Sequence, residues 1–264
     1  MKPIAPCHSR AEALLHAAGI LPVVTVDTLD QARHVAEALL KGGLSAIELT
    51  LRTPVAIEAL AMLKRDLPEV VIGAGTVLTE LQLLQSVDAG ADFLVTPGTP
   101  ATLATLLADA PIPAVPGAAT PTELLELMAL GFRACKLFPA SAVGGLAMVK
   151  GLAGPLAELK LCPTGGINEA NAADYLSQPN VACIGGSCRL SLTTPAYSAT
   201  PLSWRGLPRI KPSAGPVCRV RWQNGQRFPA GHRAPSPGPA SSCRRCRYSG
   251  PPRTARNRAC RWWP

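Results

Sequence analysis

The amino-acid sequence predicts a parallel α/β fold and, within that class, a (β/α)8 TIM barrel. Three observations lead to this prediction. Short apolar runs alternate with amphipathic segments, the runs are nearly continuous as in strands buried on both faces, and eight of them fall within the first 187 residues. The candidate strands are residues 20–26, 46–49, 70–73, 93–96, 112–115, 134–138, 159–163 and 181–184.

Helix start signals lie between the candidate strands. A threonine is followed three residues later by Gln or Glu, which is the spacing of a capping box. The pairs are Thr28 with Gln31, Thr79 with Gln82 and Thr120 with Glu123. Proline also follows threonine at three sites, which is typical of the first helical position. These prolines are Pro54, Pro100 and Pro121.

Helix stop signals follow the same segments. In residues 32–40 the apolar side chains recur at helical spacing, which predicts one buried stripe. Glycines that suit a helix C-terminus then end this helix and two later ones. They are Gly42 with Gly43, Gly90 and Gly131.

An open doubly wound sheet is the main alternative to the barrel. Its usual sign is a G-x-G-x-x-G turn after the first strand, and no such turn opens the first crossover. The pair Gly73 and Gly75 lacks the third glycine, because Leu78 occupies that position. We therefore favour the barrel.

The chain divides into two chemically different segments at residue 187. Residues 1–187 contain all 17 acidic residues and 11 of the 26 basic ones, whereas residues 188–264 contain 15 basic residues and no acidic residue. The second segment is rich in Pro and Arg, and it shows neither a strand nor a helix period. Pro195 and Pro201 interrupt residues 191–204, where the eighth helix of a barrel is due. We expect a barrel domain over 1–187 and an irregular basic tail over 188–264.

Three origins of the tail are open. A GC-rich gene read out of frame yields such a mixture, and this origin explains the abrupt start in mid-fold best. A disordered extension is the second. The third, which we favour least, is a basic arm that binds nucleic-acid phosphates.

Cellular location follows from composition. No run of eighteen apolar residues is present, which argues against a membrane span. Arg10, Glu12 and His16 precede the first apolar run, so a secretory signal is not expected. We expect a cytoplasmic protein.

The cysteines indicate neither disulfides nor a metal site. Cys135, Cys162 and Cys183 fall in candidate strands, where a free thiol behaves as a small apolar group. Cys243 and Cys246 have the spacing of a zinc knuckle, but no second pair matches it. No metal site is expected.

Polar residues at the carboxyl ends of the strands are the candidates for chemistry. Lys136 lies inside an apolar strand, where desolvation favours a neutral amine that can attack a ketone. The alternative is a lysine that extends out from the strand end. Glu48 also lies in an apolar strand, either as the partner of Arg52 in a structural ion pair or as a group that transfers protons.

Two glycine-rich turns follow the seventh and eighth candidate strands, where barrels commonly bind phosphate. Glycine lets backbone N–H groups approach phosphate oxygens closely. The candidate phosphate-binding residues are Gly165, Gly166, Gly185, Gly186 and Ser187. Either glycine pair alone would also fit an ordinary tight turn.

Several long motifs together carry a family resemblance. Residues 43–52 and 131–144, with the shorter stretches 73–76, 96–98, 163–168 and 185–187, resemble segments of the bacterial 2-keto-3-deoxy-6-phosphogluconate (KDPG) aldolases, a family that includes 4-hydroxy-2-oxoglutarate aldolases. The resemblance runs from about residue 20 to residue 187. The family continues with a tryptophan and a final helix, where this chain has Cys188. Cys135 also replaces a larger apolar residue.

The resemblance implies that the barrel over 1–187 is a class I aldolase without metal or other cofactor. Lys136 would form a protonated imine with the 2-oxo carbon, and Glu48 would take the proton of the C4 hydroxyl through a water molecule. Cleavage of the C3–C4 bond would give pyruvate and glyceraldehyde 3-phosphate. The Entner-Doudoroff pathway and a homotrimer are further implications of the resemblance.

The resemblance also assigns substrate-binding residues. Arg52 and Thr76 would bind the substrate carboxylate, Pro97 and Phe138 would line the pocket together with Lys136, and Thr164 would contact substrate. The alternatives are an aldolase for 4-hydroxy-2-oxoglutarate or for the 6-phosphogalactonate isomer, and a catalytically weak barrel whose basic tail binds nucleic acid.

Overall fold

A computed structural model describes residues 6–187 of the chain, and the expectations for residues 188–264 lie outside them. The helices in this part are α1 Pro6–Ala18, α2 Leu29–Lys41, α3 Ala56–Asp66, α4 Glu80–Asp88, α5 Ala101–Ala108, α6 Pro121–Ala129, α7 Gly145–Leu152 and α8 Glu169–Leu176. The strands are β1 Ile20–Val24, β2 Ala46–Thr50, β3 Val71–Gly75, β4 Phe93–Val95, β5 Ala114–Val115, β6 Gly117–Ala118, β7 Ala134–Leu137, β8 Lys160–Pro163 and β9 Ile184–Ser187.

The strands form two parallel sheets. The larger has the order β5-β4-β3-β2-β1-β9, and the smaller has the order β6-β7-β8. Every registered pair is parallel, as the long helical connections require. Isolated parallel bridges also join Leu161 to Val181 and Thr164 to Gly185, between β8 and the region of β9. The predicted parallel α/β architecture is confirmed.

Alternate strand residues belong to two separate hydrophobic clusters, as the two-residue period of a strand demands. In β2, Ile47 and Leu49 pack in the cluster that includes the helices. Ala46 belongs to a second cluster, which the inward faces of the strands form. Glu48 and Thr50 therefore share the inward face with Ala46.

Helix α1 covers the amino ends of the strands, and the sequence argument missed it. Its Ala11 and Leu15 pack in the inner cluster with Leu21, Ala46 and Phe93, which lie at or near the starts of their strands. Residues 6–18 were considered only as a possible secretory signal, so no secondary structure was predicted for them. This helix buries Ala11 and Leu15, and its local signals were overlooked: Pro6 is its first residue and Gly19, with a φ of 63°, follows its last.

The predicted helix caps are confirmed. Thr28, Thr79 and Thr120 each accept a hydrogen bond from the backbone N–H three residues later. Asn168 caps α8 in the same manner, through the N–H of Ala170. The glycines also behave as predicted, since Gly90 has a φ of 86° directly after the last turn of α4.

Most strands differ from the prediction by one or two residues at an end, and four further differences concern the start of a helix or the extent of a strand. Helix α3 begins two residues after Pro54, and Pro100 is the N-cap of α5 rather than its first residue. The fifth strand is divided at Pro116, which has no N–H to donate. The last strand is Ile184–Ser187 rather than residues 181–184, because its glycines gave no apolar signal.

Candidate active site

Lys136 and Glu48 form a buried ion pair. The Nζ atom of Lys136 donates to Oε1 of Glu48 at 2.9 Å, and its distance to Oε2 is 3.3 Å. Lys136 is 3% exposed and Glu48 is 1% exposed. Two charges removed from water in this way need each other, because either alone would be strongly disfavoured.

The pair crosses the space between the two sheets. Glu48 lies on β2, in register with Val23 and Gly73, and Lys136 lies on β7, in register with Gly117 and Cys162. The alternative in which Lys136 extends out to solvent is therefore wrong. The partner of Glu48 is Lys136 rather than Arg52, so the structural pair with Arg52 is wrong as well.

Glycines on the inward faces leave the room that these side chains occupy. A Cβ atom at Gly75 would overlap the carboxylate of Glu48. A Cβ atom at Gly117 would overlap the backbone at Pro97, and one at Gly185 would overlap the side chain of Thr164. The carboxyl end of the interior thus depends on the absence of side chains at these positions.

Arg52 and Thr76 are brought together at the ends of β2 and β3. The Nε atom of Arg52, which is exposed, donates to Oγ1 of Thr76 at 3.1 Å. Thr76 has a φ of 59°, the one positive value of a non-glycine residue within the described part. A β-branched residue rarely adopts this conformation, so the local fold holds the Thr76 hydroxyl against the guanidinium.

Phe138 lies beside the ion pair. The Nζ atom of Lys136 is 5.3 Å from the centroid of the Phe138 ring, within the range of a cation–π contact. Phe138 follows β7 and Pro97 lies shortly after β4, and both are half-buried. The peptide bond between Phe138 and Pro139 is cis.

The first glycine turn follows β8. Thr164 is buried, and its hydroxyl donates to the carbonyl of Cys162 at 3.3 Å. Gly165 and Gly166 have φ values of 96° and 79°, which only glycine adopts readily. A Cβ atom at Gly166 would overlap the Ser141 side chain, so Ser141 lies against this turn.

The second glycine pair, Gly185 and Gly186, lies within β9 beside the first turn, so the prediction of a turn at this position is wrong. Gly185 bridges to Thr164 in parallel register, and β9 pairs with β1 along its whole length. Gly186 is buried, and Ser187 is opposite Val23. The Ser187 side chain lies outside what the structure describes.

The comparison with protein families identifies a match over most of the chain. The model of the family "KDPG and KHG aldolase" matches residues 11–195. The chain belongs to this family. The resemblance of the motifs is thereby confirmed, and since the family consists of aldolases, the chain is a carbon–carbon lyase.

Individual relatives agree with the family match. The KHG/KDPG aldolase of Escherichia coli (strain K12) is 41% identical over 177 residues, which are 67% of this chain and 83% of that protein. A crystal structure of KDPG aldolase from Legionella pneumophila, with pyruvate captured at low pH as a covalent carbinolamine intermediate, has a TM-score of 0.65 and 45% identity. It covers 67% of this chain and 86% of that one. The Zymomonas mobilis ZM4 enzyme with 3-phosphoglycerate has a TM-score of 0.68, 35% identity and coverages of 72% and 90%.

Two hydroxyl-bearing residues of this aldolase escaped the sequence argument. Ser141 lies two residues after Pro139, within the motif of residues 131–144 from which only Lys136 and Phe138 were predicted as site residues. Thr50 is 0% exposed and lies two positions after Glu48 on the same strand. The two-residue strand period was the available signal for Thr50, because it places Thr50 on the face of Glu48.

The cysteines behave as predicted. Cys135, Cys162 and Cys183 are free and buried. Burial raises the pKa of the Cys135 thiol, and burial followed by a hydrogen bond with Cys162 raises the pKa of the Cys183 thiol. Both thiols are thereby kept protonated and unreactive. Cys243 and Cys246 lie outside the described residues.

Residues 6–187 contain neither a cluster of metal-binding side chains nor a membrane-spanning helix. This part of the aldolase contains no group of three His, Cys, Asp or Glu side chains that could hold a metal ion. None of its helices has the length and apolar character needed to cross a membrane. The expected metal-free mechanism stays a prediction.

Proposed function

We propose that this chain is a class I aldolase that cleaves 2-dehydro-3-deoxy-6-phosphogluconate to pyruvate and glyceraldehyde 3-phosphate. The observation that carries the proposal is the buried Nζ atom of Lys136, 2.9 Å from the Glu48 carboxylate. An amine beside a base in a site closed to water is the arrangement that imine formation requires. The names of the relatives and the covalent pyruvate intermediate of the Legionella enzyme support the same reaction.

Imine formation starts with proton transfer inside the ion pair. The Lys136 ammonium passes a proton to Glu48, which gives a neutral amine and a neutral acid and removes two buried charges. The amine attacks the 2-oxo carbon and forms a carbinolamine. The protonated Glu48 then supplies the proton with which the hydroxyl leaves as water, so that an iminium ion and a carboxylate remain.

Carbon–carbon cleavage uses the same carboxylate as a base. Glu48 removes the proton of the C4 hydroxyl through a water molecule, the C3–C4 bond breaks, and its electron pair moves into the iminium to give an enamine. Glyceraldehyde 3-phosphate leaves. Protonation of the enamine at C3 and hydrolysis of the imine release pyruvate and restore Lys136.

The carboxylate of the substrate lies at the ends of β2 and β3 in this proposal. Arg52 supplies donors in the forked geometry that a carboxylate accepts, and Thr76 holds the guanidinium in place at 3.1 Å. Pro97 and Phe138 form the walls, and Thr164 contacts the bound chain. The half-buried state of Pro97 and Phe138, and the position of Phe138 beside Lys136, support these roles.

The glycine turn after β8 and the glycine pair of β9 hold the phosphate. Gly165 and Gly166 have left-handed backbones, and the N-terminus of α8 follows them closely. Backbone N–H groups in such turns bind anions, as do helix N-termini. Gly185, Gly186 and Ser187 contribute from β9, and the bridge between Thr164 and Gly185 supports a shared site.

We infer a closed (β/α)8 barrel over residues 1–187, with the bridges between β8 and the region of β9 as support. Residues 188–264 form the second segment, which we attribute to a reading-frame error. A homotrimer is part of the proposal, and the exposed Leu78, Leu81 and Leu84 offer an apolar face for subunit contact. The free buried thiols support a cytoplasmic location, and nucleic acid is not a partner.

Aldol cleavage of 4-hydroxy-2-oxoglutarate is the second candidate activity. The name of the E. coli relative favours it, since that protein is a KHG/KDPG aldolase. Both substrates present a 2-oxo acid with a C4 hydroxyl, so Lys136 and Glu48 would act on them identically. The 6-phosphogalactonate isomer remains the alternative, and it differs in the configuration at C4.

Borohydride trapping tests the proposed function. Borohydride added together with pyruvate should reduce the imine and leave a covalent adduct on Lys136, which peptide mass spectrometry locates. Lys136→Ala should lose the adduct and slow turnover by about 10⁴-fold or more, as other removed nucleophiles do. Lys150→Ala, on the exposed face of α7, is the matched control and should keep both.

Two outcomes would overturn the proposal. An adduct on another lysine would remove Lys136 from the mechanism. Turnover that disappears with EDTA and returns only with an added divalent metal would exclude the metal-free mechanism.

A further inference from the structure

A pair of threonine hydroxyls lies at the carboxyl ends of β1 and β2, outside the groups that the proposed mechanism uses. Thr25 follows β1 directly, and Thr50 is the last residue of β2. Their Oγ1 atoms are 2.7 Å apart. Thr50 is completely buried and Thr25 is exposed. The pair therefore connects an inaccessible hydroxyl to one that a ligand can reach.

Both hydroxyls lie on the inward face of the strands. Val24 and Val26 pack in the outer cluster with the helices, so Thr25 between them is directed inward. The same alternation in β2 places Thr50 on the side of Glu48. Thr25 and Thr50 therefore project into the space that contains the ion pair of Glu48 and Lys136.

A third oxygen assigns a direction to the hydrogen bonds in this pair. The Oγ1 atom of Thr50 also lies 3.1 Å from the carbonyl oxygen of Val24, which can only accept. A hydroxyl has one proton, and we assign that of Thr50 to Val24. In this assignment Thr25 donates its own proton to Thr50. The Thr25 oxygen keeps unused lone pairs and has no proton to offer, so it is an acceptor.

An oxygen of this kind selects its ligand. It repels carboxylate and phosphate oxygens, which also accept, and it binds an alcohol hydroxyl, which donates. Strand β1 lies between β2, which carries Glu48, and β9, which carries Gly185 and Gly186. Thr25 therefore lies between the proposed base and the proposed phosphate site.

We propose that Thr25 accepts a hydrogen bond from the substrate hydroxyl at C5, the carbon between the reacting C4 and the phosphate-bearing C6. This inference rests on the proposed function, and it adds a specificity determinant to it. The C5 hydroxyl becomes the C2 hydroxyl of glyceraldehyde 3-phosphate on cleavage, and 4-hydroxy-2-oxoglutarate has no counterpart of it. Thr25 thus favours phosphorylated aldehydes that carry this hydroxyl.

Aldol synthesis with two aldehydes tests the inference. Pyruvate is combined with glyceraldehyde 3-phosphate or with 3-oxopropyl phosphate, which lacks only that hydroxyl, and kcat/KM is measured for each. The unaltered chain should prefer the hydroxylated aldehyde by about 5- to 10-fold, the size of one neutral hydrogen bond. Thr25→Val should abolish the preference and leave the rate with the deoxy aldehyde unchanged. Thr105→Val, on the exposed surface of α5, is the control and should keep the preference.

Substitutions at Thr50 test the direction of the hydrogen bonds. Thr50→Val removes the acceptor for the proton of Thr25, so the Thr25 hydroxyl is no longer held with its lone pairs toward the substrate and the preference should fall. Thr50→Ser keeps the hydroxyl and should keep the preference. A preference that is the same in the unaltered chain and in the Thr25→Val chain would overturn the inference, and so would an equal loss of rate with both aldehydes.

The borohydride adduct with pyruvate separates this inference from the proposed function. Pyruvate lacks the hydroxyl in question, so the adduct on Lys136 should form equally in the Thr25→Val chain and the unaltered chain. If the adduct forms but the aldehyde preference is the same in the unaltered chain and in the Thr25→Val chain, only the role of Thr25 is refuted and the proposed function stands. An unaltered chain without any adduct refutes the proposed function, and the role of Thr25 with it.

Discussion

The two ends of the strand-lined interior are built in opposite ways. At the amino end, Ala11, Leu15, Leu21 and Phe93 fill the space, and each is 1% exposed or less. At the carboxyl end, the inward positions alternate between polar side chains and glycines. The polar residues are Glu48, Thr50, Lys136 and Thr164, and the glycines are Gly75, Gly117 and Gly185.

We attribute most of the stability to the amino end of the interior and the chemistry to the carboxyl end. Burial of apolar side chains at the amino end contributes about 1.5–3 kcal/mol for each large residue. The ion pair at the carboxyl end contributes little net stability, because desolvation offsets the attraction between the charges. Substitutions at the two ends should therefore have opposite signatures, and the following predictions test this in order of decreasing effect.

Glu48→Gln should affect catalysis more than stability. The amide keeps the shape of the side chain and removes the base, so carbon–carbon cleavage should slow by about 10²–10⁴-fold, as expected when a general base is lost. The variant leaves Lys136 without its carboxylate partner, and a buried amine gives up its proton rather than keep an unpaired charge. Trapping of the pyruvate adduct on Lys136 should therefore persist, with water in place of Glu48 as the proton donor. Steady-state kinetics and adduct mass spectrometry measure the two effects. Glu58→Gln, on the exposed side of α3, is the matched control.

An unchanged cleavage rate in this variant would contradict the role of Glu48 as a base. The buried pair with Lys136 would then be structural, and the carboxyl end of the interior would stabilise the fold as the amino end does.

The sequence carried more information about the carboxyl end than about the amino end. Lys136 and Glu48 were recognisable because a charge inside an apolar strand needs an explanation. Their contact was not predictable from periodicity, because it joins residues 88 positions apart that lie on two different sheets. For this reason neither alternative for Glu48, the pair with Arg52 or proton transfer, named Lys136 as its partner.

Helix α1 was missed because its buried side chains pack against residues that are distant in sequence, among them Ala46 and Phe93. Its two local signals, Pro6 at the start and Gly19 at the end, were not used. The shift of β9 from residues 181–184 to Ile184–Ser187 has a similar cause, since two glycines in a strand give no hydrophobic pattern. Local capping signals such as Thr120 with Glu123 were predicted correctly because they depend on neighbours in sequence alone.

Phe93→Ala should affect stability more than chemistry. The Phe93 ring fills the space above Gly73, where a Cβ atom would overlap it, so its removal leaves a cavity. We expect a loss of about 3–5 kcal/mol in the free energy of unfolding. Denaturant titration measures the loss, and the pyruvate adduct should still form at temperatures where the variant is folded. A variant that is stable but cannot form the adduct would contradict the division between the two ends.

The next largest effect should come from the reading frame after residue 187, which should change the free energy of unfolding. If residues 188–264 result from a frame error, a shift just after Ser187 should restore a tryptophan and an amphipathic helix. Each large apolar side chain that this helix buries would add about 1.5–3 kcal/mol to the free energy of unfolding. Thermal melts and specific activities of the two chains make the comparison. Equal melts and activities, with protease protection beyond residue 188, would identify the tail as a genuine folded part.

The smallest predicted effect concerns the capping box of α6, on the chain segment that leads from β6 at the carboxyl end. The Glu123 carboxylate accepts hydrogen bonds from the backbone N–H groups of Ala119 at 2.7 Å and Thr120 at 2.9 Å. The bond from Ala119, ahead of that from Thr120, lowers the pKa of Glu123 below its usual value of 4.5. A pKa that is lower in the folded state than in the unfolded state means that the ionised carboxylate stabilises the fold. This contribution is present above pH 4.5 and is lost as the pH falls through the folded-state pKa.

Glu123→Gln should therefore lower the free energy of unfolding near pH 7 by about 0.3–1 kcal/mol at low ionic strength, and by less in salt because the side chain is exposed. The difference between the variant and the unaltered chain should shrink as the pH falls below the folded-state pKa, since both side chains are then neutral. Denaturant titrations near pH 7 and at a pH below the folded-state pKa of Glu123 measure this difference in the free energy of unfolding. Glu126→Gln, three residues later on the same helix and without a place in the capping box, should show no comparable pH-dependent difference. A difference at position 123 that stays constant across this pH range would mean that the shape of the side chain, and not its charge, holds the start of α6.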